Sequence, residues 1–212
     1  MYNLHQDKLL IASHNEGKIS EFRELLGLLK IDILSSKELK LPEPVEDGKT
    51  FEENALIKAK SASNLSNLIS LSDDSGIEID ALDKQPGIYS ARWAGPNRDF
   101  DFAMREVTRL LDEKKIPIAE RTARFVCALC LFYPNGEYHF FVGKLEGRVV
   151  WPPRGKYGFG YDAIFEPLNM NKTFGEITSD EKHSWTPKKV GLSHRAKAFA
   201  KFVSYLSQKK SE

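Results

Sequence analysis

The sequence predicts an α/β protein with a mixed central sheet and flanking helices. Along the chain, apolar residues switch repeatedly between the spacing of strands and the spacing of helices. Two strand patterns flank Pro134-Asn-Gly136, and Asn-Gly is a strong hairpin signal, so part of the sheet should be antiparallel. Neither an internal repeat nor a long linker is apparent, and 212 residues suit one domain spanning 1–212.

The N-terminal half is expected to alternate strands with helices. Its apolar patterns predict, in order, a strand at Leu9–Ala12, a helix at 16–29, a strand at 31–34 and a strand at Ile69–Ser72 that ends at Asp73-Asp74. The predicted helix carries one apolar stripe, formed by Ile19, Phe22, Leu25, Leu26 and Leu29. Between the last two strands, Thr50-Phe-Glu-Glu53 has the form of a capping box, in which both end residues satisfy free N–H groups. A helix should therefore run from there to about Ser66.

The C-terminal half is expected to end in a helix with a polar first turn. Its predicted elements are a helix at 101–113, a Pro/Gly/aromatic loop at 151–162, a short strand at Ile164–Phe165 and a last helix with the apolar stripe Phe199, Phe202, Val203 and Leu206. Ser193 is the natural N-cap of that helix, which puts His194 and Arg195 in its first turn.

Composition limits the classes of partner. The 31 Lys+Arg and 30 Asp+Glu nearly balance, so no global excess of positive charge attracts duplex nucleic acid. The N-terminus has no basic region followed by an apolar stretch, and no segment is long enough to cross a bilayer, so we expect a cytoplasmic protein without a membrane partner. Cys127 and Cys130 form Cys-x-x-Cys, but residues three apart on a strand face opposite sides, which disfavours a shared metal or redox site.

The segment Ser13-His-Asn-Glu-Gly-Lys18 joins a predicted strand to a predicted helix. A helix start directs free N–H groups outwards, where the helix dipole favours an anion, and Ser13, Asn15 and Lys18 add side-chain donors. The segment is not a Walker sequence, because Gly17-Lys18 lacks the upstream glycine and a following Ser or Thr. Taken alone, it fits a phosphate site and a capped helix with a solvated lysine equally well.

Two adjacent carboxylates follow the predicted strand in Asp73-Asp-Ser-Gly76. Adjacent carboxylates repel unless a cation or proton lies beside them. Mg²⁺ suits this place, because it uses few protein carboxylates together with substrate phosphate oxygens. Glu46 or Glu43, in the acidic segment 43–47, is a candidate second ligand. Taken alone, Asp-Asp-Ser-Gly is more often an ordinary turn.

A glycine-rich aromatic segment and a cationic pair carry groups suited to a purine. In Gly155-Lys-Tyr-Gly-Phe-Gly-Tyr-Asp162 the glycines permit close backbone approach, the aromatics offer stacking faces, and Asp162 can accept from an N–H of a base edge. The alternative is a glycine-rich hairpin with its aromatics in the core. His194 and Arg195 are either surface residues or ligands, and Arg195 opposes the helix dipole unless an anion or keto oxygen accompanies it.

These motifs, in this order, resemble the inosine triphosphate pyrophosphatase family. The resemblance runs nearly end to end and is carried by Ser13–Lys18, Thr50–Ala59, Asp73–Gly76, Pro86–Arg92, Gly158–Asp162 and Ser193–Arg195. Enzymes of this family hydrolyse the nonstandard purine nucleotides ITP, dITP and XTP to the monophosphate and pyrophosphate. The resemblance implies a magnesium-dependent homodimer with a mixed-sheet α/β fold, in which 1–212 is one two-lobed catalytic domain around a nucleotide cleft.

The resemblance also implies roles for single residues. The triphosphate-binding residues would be Ser13, His14, Asn15, Glu16, Gly17, Lys18 and Lys58. The metal-associated acids would be Glu46 and Asp74, with Asp74 also the general base and Ser75 beside the substrate. The nucleobase would be surrounded by Phe159, Gly160, Tyr161, Asp162, Lys182, His194 and Arg195.

One departure from the family pattern leaves two lysines as candidates. Family members commonly have few residues between the lysine matched by Lys182 and Ser-His-Arg, whereas 183–192 intervene here, and Lys189 stands at the more usual spacing. We favour Lys182, because the preceding Asp-Glu also matches the family. Thr178–Glu181 would cap a short helix that holds Lys182, and Trp185-Thr-Pro187 would form a loop.

Two other functions fit the same motifs. The first is a pyrophosphatase for pyrimidine or modified nucleotides on a similar fold, which nucleotide profiling would distinguish. The second is a non-catalytic nucleotide-binding or RNA-binding protein that uses the same phosphate pocket. The paired Asp73-Asp74 and the near-neutral net charge count against the second.

Overall fold

The computed structural model of the protein describes residues 8–27, 31–186 and 189–209. Contacts divide the chain into two compact units. Unit 1 consists of the described parts of Met1–Asp74, Cys127–Val142 and Ala198–Glu212, and unit 2 consists of those of Ser75–Val126 and Gly143–Lys197. In the part of the chain that the structure describes, no helix combines the length and the apolar character that a membrane span requires.

The main strands form a six-stranded mixed sheet. They are β1 (Leu9–Ile11), β2 (Ile33–Ser35), β3 (Ile69–Ile79), β4 (Thr122–Phe132), β5 (Tyr138–Val149) and β6 (Phe165–Pro167). Their order in the sheet is β2-β1-β3-β4-β5-β6. The strand β1 runs parallel to both β2 and β3, with Leu10 opposite Leu34 and Ser70, whereas β5 and β6 are antiparallel. The predicted mixed sheet is confirmed.

Of the helices that the structure describes, all but the short helix at Ser90–Trp93 lie close to predicted positions. Among the described residues they are α1 (Glu16–Gly27), α2 (Phe51–Ser66), α3 (Ser90–Trp93), α4 (Phe100–Glu113), α5 (Ser179–His183) and α6 (His194–Lys209). The predicted apolar stripes are buried: Ile19, Phe22, Leu25 and Leu26 in α1, and Phe199, Phe202, Val203 and Leu206 in α6. Leu29, which the stripe of α1 also included, lies outside the described residues.

The helix caps agree with the sequence except in one detail. The Ser193 hydroxyl accepts the N–H of Ala196 at 2.9 Å, and the Thr50 hydroxyl accepts the N–H of Glu53 at 3.1 Å. The other half of the capping box predicted at Thr50 is wrong, because the Glu53 carboxylate accepts the N–H of Lys49, one residue before the cap. The Glu53 carboxylate thus binds a backbone N–H of the segment that precedes α2.

The strand β3 runs further than its sequence indicated. It does not end at Asp73-Asp74 but continues through both residues to Ile79. Ile77 and Ile79 are fully buried in the core of unit 2, so tertiary burial extends the strand beyond its polar middle. The turn alternative for this segment is therefore also wrong. Because successive residues of a strand point to opposite faces, the two carboxylates face different surroundings.

Residues 185–190 also differ from the prediction. Instead of a loop, β7 (Trp185–Thr186) pairs antiparallel with β8 (Lys189–Val190), and residues 187–188 lie outside the described part. Backbone pairing of this kind satisfies polar groups that a loop leaves to water, and the polar local sequence gives no sign of it. The hairpin predicted at Asn-Gly is present: Tyr133 N–H donates to the carbonyl of Glu137 at 2.8 Å between the neighbouring strands β4 and β5.

Candidate active site

In unit 1, the segment after β1 places a lysine against Asp73. The Asn15 side chain accepts the N–H of Lys18 at 3.3 Å, and the Asn15 N–H donates to the Ser13 hydroxyl at 3.1 Å, so side chains stabilise the start of α1. The Lys18 ammonium pairs with the buried carboxylate of Asp73. Since the Lys18 side chain is only 18% exposed, it is not the solvated lysine of a simple capped helix.

Other residues of this segment have partners in the acidic loop and at the surface. His14 Nε2 lies 2.7 Å from the carbonyl oxygen of Leu41, and its Nδ1 lies 3.2 Å from a carboxylate oxygen of Glu43. Glu16 pairs with Lys37 at the surface. Glu43, one of the two candidates for a second metal ligand, therefore contacts His14. The other candidate, Glu46, has different neighbours.

Lys58 on α2 connects Asp74 with Glu46. Its Nζ lies 2.8 Å from an oxygen of each carboxylate. One helical turn earlier, the Asn54 amide nitrogen lies 3.4 Å from the second oxygen of Asp74. This geometry selects Glu46 over Glu43 as the neighbour of Asp74.

Burial and charge act in opposite directions on this group. Burial raises the pKa of Asp74, while the ammonium groups of Lys58 and Lys18 oppose the shift. Burial also disfavours the charge of Lys58, but the carboxylates of Asp74 and Glu46 outweigh it and raise the pKa of the lysine. A buried acid with a raised pKa beside two lysines is typical of a functional site.

Glu46 and Asp74, the two carboxylates that contact Lys58, suit Mg²⁺. In nucleotide sites this ion uses one or two protein carboxylates and completes its coordination with phosphate oxygens and water. Glu46 and Asp74 provide that number, since both contact the same ammonium at 2.8 Å. Within residues 8–27, 31–186 and 189–209, no three or more His, Cys, Asp or Glu side chains group as a metal site. Glu46 and Asp74 by themselves fit a metal that shares its coordination with a substrate.

Cys127 is a neighbour of Asp73 that the sequence reasoning missed. Its thiol donates to the second carboxylate oxygen of Asp73 at 3.1 Å, and both side chains are buried. Cys127 and Cys130 are free thiols, and burial raises the pKa of Cys130 to about 12. That the two do not share a metal or redox site stays a prediction.

In unit 2, Lys182 and Asp162 form a buried ion pair. The short helix α5 begins at a complete capping box of Thr178 and Glu181, as predicted. It directs Lys182 Nζ to 2.8 Å from Asp162 Oδ2 and 4.6 Å above the ring of Phe174. Burial raises the pKa of Asp162, and the lysine opposes that shift.

Lys189, the other candidate, lies in a different environment. It is exposed on β8, where its charge acts on the carboxylate of Glu181. Of the two candidate lysines, Lys182 is the one that contacts Asp162.

The aromatics of segment 155–162 divide between surface and core. Tyr157 and Phe159 are 45% and 57% exposed, whereas Tyr161 is buried. The Tyr161 hydroxyl donates to the carbonyl of Ser90 at 2.9 Å, and its ring lies edge-on to Phe100. The prediction that Tyr161 offers a stacking face is wrong, because a ring with a satisfied hydroxyl is more stable in the core.

The first turn of α6 carries two buried polar side chains. His194 stacks on the ring of Phe125 with a centroid distance of 5.0 Å. Arg195 donates to the Ser75 hydroxyl at 3.1 Å, and its charge lowers the pKa of Asp162 against the effect of burial. The alternative that His194 and Arg195 are surface residues is therefore wrong.

Comparison with known proteins decides the family. The sequence model of the Ham1 family matches residues 9–205. The chain belongs to the Ham1 family. It is 51% identical over 208 residues to a dITP/XTP pyrophosphatase of Brucella melitensis, with 96% of this chain and 94% of the relative covered. A dITP/XTP pyrophosphatase of Agrobacterium fabrum is 50% identical, with 96% and 97% covered.

Solved structures of Ham1 proteins agree with this assignment. A HAM1 protein from Coxiella burnetii gives a TM-score of 0.85 at 34% identity, with 95% of this chain and 98% of that chain covered. The Staphylococcus aureus Ham1 protein gives 0.83 at 32% identity, with 95% and 99% covered. The family resemblance inferred from the motifs is confirmed.

This Ham1-family chain also has a cavity beside the ion pair of Lys182 and Asp162. The cavity has a volume of 420 Å³ and adjoins Asp162. Its walls are residues 98–101 and Met104, around the start of α4, and most of segment 155–163. The volume is in the range of small-molecule pockets. Residues 98–104 carry no motif, and nothing in their spacing connects them with this segment.

Proposed function

We propose that this Ham1-family protein hydrolyses dITP, ITP and XTP to the nucleoside monophosphate and pyrophosphate. The proposal rests on the ion pairs of Lys18 with Asp73 and of Lys58 with Asp74 and Glu46, all in unit 1. Two cations and three acids this close together suit the transfer of a phosphoryl group. The name dITP/XTP pyrophosphatase, borne by relatives about 50% identical over nearly the whole chain, supports the substrate class.

The triphosphate is assigned to the start of α1 and to Lys58. The helix start offers backbone N–H groups and a favourable dipole, and Ser13–Lys18 contribute polar side chains. Lys18 and Lys58 are held in place by carboxylates, so little side-chain freedom is lost when a phosphate arrives. Positioning and charge stabilisation supply most of the rate in phosphoryl transfer.

Asp74 is assigned as the general base and, with Glu46, as the holder of Mg²⁺. When bound, the ion neutralises phosphate charge and improves pyrophosphate as a leaving group. The Asp74 carboxylate orients or deprotonates the water that attacks the α-phosphorus. Its raised pKa makes it a stronger proton acceptor, while Lys58 favours its ionised form. Ser75, the next residue of β3, is assigned a place beside the substrate.

The nucleobase is assigned to the group around Asp162. Hypoxanthine and xanthine present an acceptor at O6 and a protonated N1, and adenine presents the reverse pattern. Lys182 and Arg195 are donors and Asp162 is an acceptor, which matches the first pattern. A donor that faces the adenine amino group stays unpaired, and such a mismatch can reject the wrong ligand by about 10⁴. Phe159 provides an exposed ring for stacking.

A nucleotide panel tests the proposal. Purified protein is incubated with ITP, dITP, XTP, GTP, dATP and pyrimidine triphosphates, with Mg²⁺ or with a chelator, in ¹⁸O-water. We expect turnover of the first three with Mg²⁺, equal amounts of monophosphate and pyrophosphate, and the label in the monophosphate. Faster turnover of pyrimidine or modified nucleotides would favour the first alternative, and binding without turnover the second.

Asp74→Asn tests the general base in the same assay. The substitution keeps the shape and removes the charge, so dITP should still bind while turnover is lost. A variant that retains more than about a tenth of the wild-type kcat, a loss below about 1.4 kcal/mol, would contradict the assignment.

We also propose a cytoplasmic homodimer. The dimer is supported by the family resemblance and by the prevalence of two-fold assemblies among soluble oligomers. Light scattering should give the mass of two chains, and a monomer mass at all concentrations would refute it.

A further inference from the structure

We propose that Ser90 is a positioning residue, which holds the nucleobase segment 155–162 against strand β3 through the hydroxyl of Tyr161. Ser90, segment 155–162 and the part of β3 from Ser75 onwards all belong to unit 2. Ser90 lies in the segment Pro86–Arg92, to which the proposed function assigns no task. The inference rests on the proposed function, because it concerns how the proposed nucleobase residues are held.

On one side, Ser90 is bound to β3. The strand β1 pairs with β3 only as far as Leu71. Further along, the segment before α3 meets β3, with an isolated antiparallel bridge between Glu78 and Pro86. The Ser90 hydroxyl accepts the N–H of Ile77 at 3.0 Å and donates to the carbonyl of Gly87 at 2.6 Å. It thereby satisfies a backbone donor of a buried strand residue.

The contact is close enough to require a glycine in β3. A Cβ at Gly76 would lie 2.4 Å from the Ser90 hydroxyl oxygen and 2.5 Å from the Gly87 carbonyl oxygen. Neither distance is sterically possible, so any side chain at this position would push the two segments apart. Gly76 and Ser90, which belong to two different motifs, are thus packed directly against each other.

On its other side, Ser90 is bound to the nucleobase segment. Its carbonyl oxygen accepts the Tyr161 hydroxyl at 2.9 Å. Tyr161 directly precedes Asp162, so the anchored ring restricts where the carboxylate can lie. Asp162 is in turn influenced by the charge of Arg195, which donates to Ser75, the residue before Gly76. The nucleobase segment is therefore connected to β3 through the hydrogen bonds of Tyr161 and Ser90, and the charge of Arg195 acts on Asp162 from beside Ser75.

Two variants break this path without removing a group assigned to the substrate. Tyr161→Phe deletes one oxygen and keeps the ring, whereas Ser90→Ala deletes the bond to β3. We expect each to raise KM for dITP at least fivefold and to change kcat less than twofold, because the nucleobase residues are present but less ordered. In the nucleotide-free protein, amide hydrogen exchange of 155–163 should become faster.

The double variant tests whether the two bonds act as one path. A path that is already broken loses little more when it is broken again, so the double variant should show no larger KM than the worse single variant. Multiplied effects would mean that the two bonds act independently and would overturn the proposal. If Ser90→Ala does not fold, Tyr161→Phe decides by KM and exchange.

Ser70→Ala provides the matched control. Ser70 is a fully buried serine of β3, and its hydroxyl donates to the carbonyl of Ala59 at 2.7 Å in unit 1. It should lower Tm but leave KM and the exchange of 155–163 unchanged. If Tyr161→Phe and Ser90→Ala behave in this way too, Ser90 is only structural and the proposal is wrong. Absence of turnover in the wild type would instead refute the proposed function, since hydrogen exchange needs no substrate.

Discussion

Replacement of Lys182 by methionine should damage both stability and activity. The Lys182 side chain is 2% exposed and that of its partner Asp162 is 15% exposed. Loss of one member of a buried ion pair costs about 3–5 kcal/mol. Methionine preserves the packing on Phe174. Asp162 also keeps the Phe159 N–H at 3.4 Å and the nearby charge of Arg195, so we expect the lower end, about 3 kcal/mol.

The loss of unfolding free energy in Lys182→Met should depend on pH. Burial already raises the pKa of Asp162, and Lys182 opposes that shift, so the variant should raise it further. A carboxyl group with a pKa raised by folding destabilises the folded state when it is ionised, and regains that free energy as the pH falls towards the raised pKa. The deficit relative to wild type should thus be largest at neutral pH and shrink on acidification.

Urea unfolding and steady-state kinetics with dITP measure these effects. We expect kcat/KM to fall at least tenfold, about 1.4 kcal/mol. The matched control is Lys189→Met on the exposed strand β8, with a change in unfolding free energy within about 0.5 kcal/mol and normal kinetics. Measured against Asp162→Asn, the double variant Lys182→Met/Asp162→Asn should show no such pH-dependent deficit, because neither protein carries the carboxyl group. A normal kcat/KM for Lys182→Met with a tenfold loss for Lys189→Met would transfer the nucleobase role to Lys189.

Three further predictions concern the lysines assigned to the triphosphate and a glycine beside Asp162. Lys58→Met should move the acid limb of the pH profile of kcat/KM to higher pH, because Lys58 lowers the pKa of Asp74; an unmoved limb would separate the general base from this pair. Lys18→Ala should raise KM for dITP about tenfold, and wild-type kinetics would reduce 13–18 to a helix start. Gly158→Ala should lower Tm and kcat/KM, since its Cβ would lie 1.9 Å from a carboxylate oxygen of Asp162. The control is Gly136→Ala, because Gly136 also has a positive φ but open space around it. This control should lower the free energy of unfolding by only about 1–2 kcal/mol and leave the kinetics normal.

The sequence by itself determined the features that depend on near neighbours in the chain. The helix starts at Thr50, Thr178 and Ser193 were predicted because a cap needs only a side chain and an N–H about three residues away. The mixed sheet followed from apolar periodicity and one Asn-Gly signal. The family followed from the order of several motifs along almost the whole chain.

Only the tertiary structure decided which distant groups meet. The length of β3 was underestimated, because burial of Ile77 and Ile79 in the core extends the strand beyond two charged residues. The partners of Asp73 are a lysine 55 positions earlier and a thiol 54 positions later, and no local spacing encodes such pairs.

The tertiary structure also decided which of two chemically similar side chains is buried or paired. Phe159 and Tyr161 are two residues apart, yet one ring is exposed and the other is buried with its hydroxyl on Ser90. Lys182 and Lys189 were both candidates by spacing, and the fold of α5 brings Lys182 to Asp162. Residue types and intervals express local preference, whereas desolvation and the pairing of buried charges depend on segments that only folding brings together.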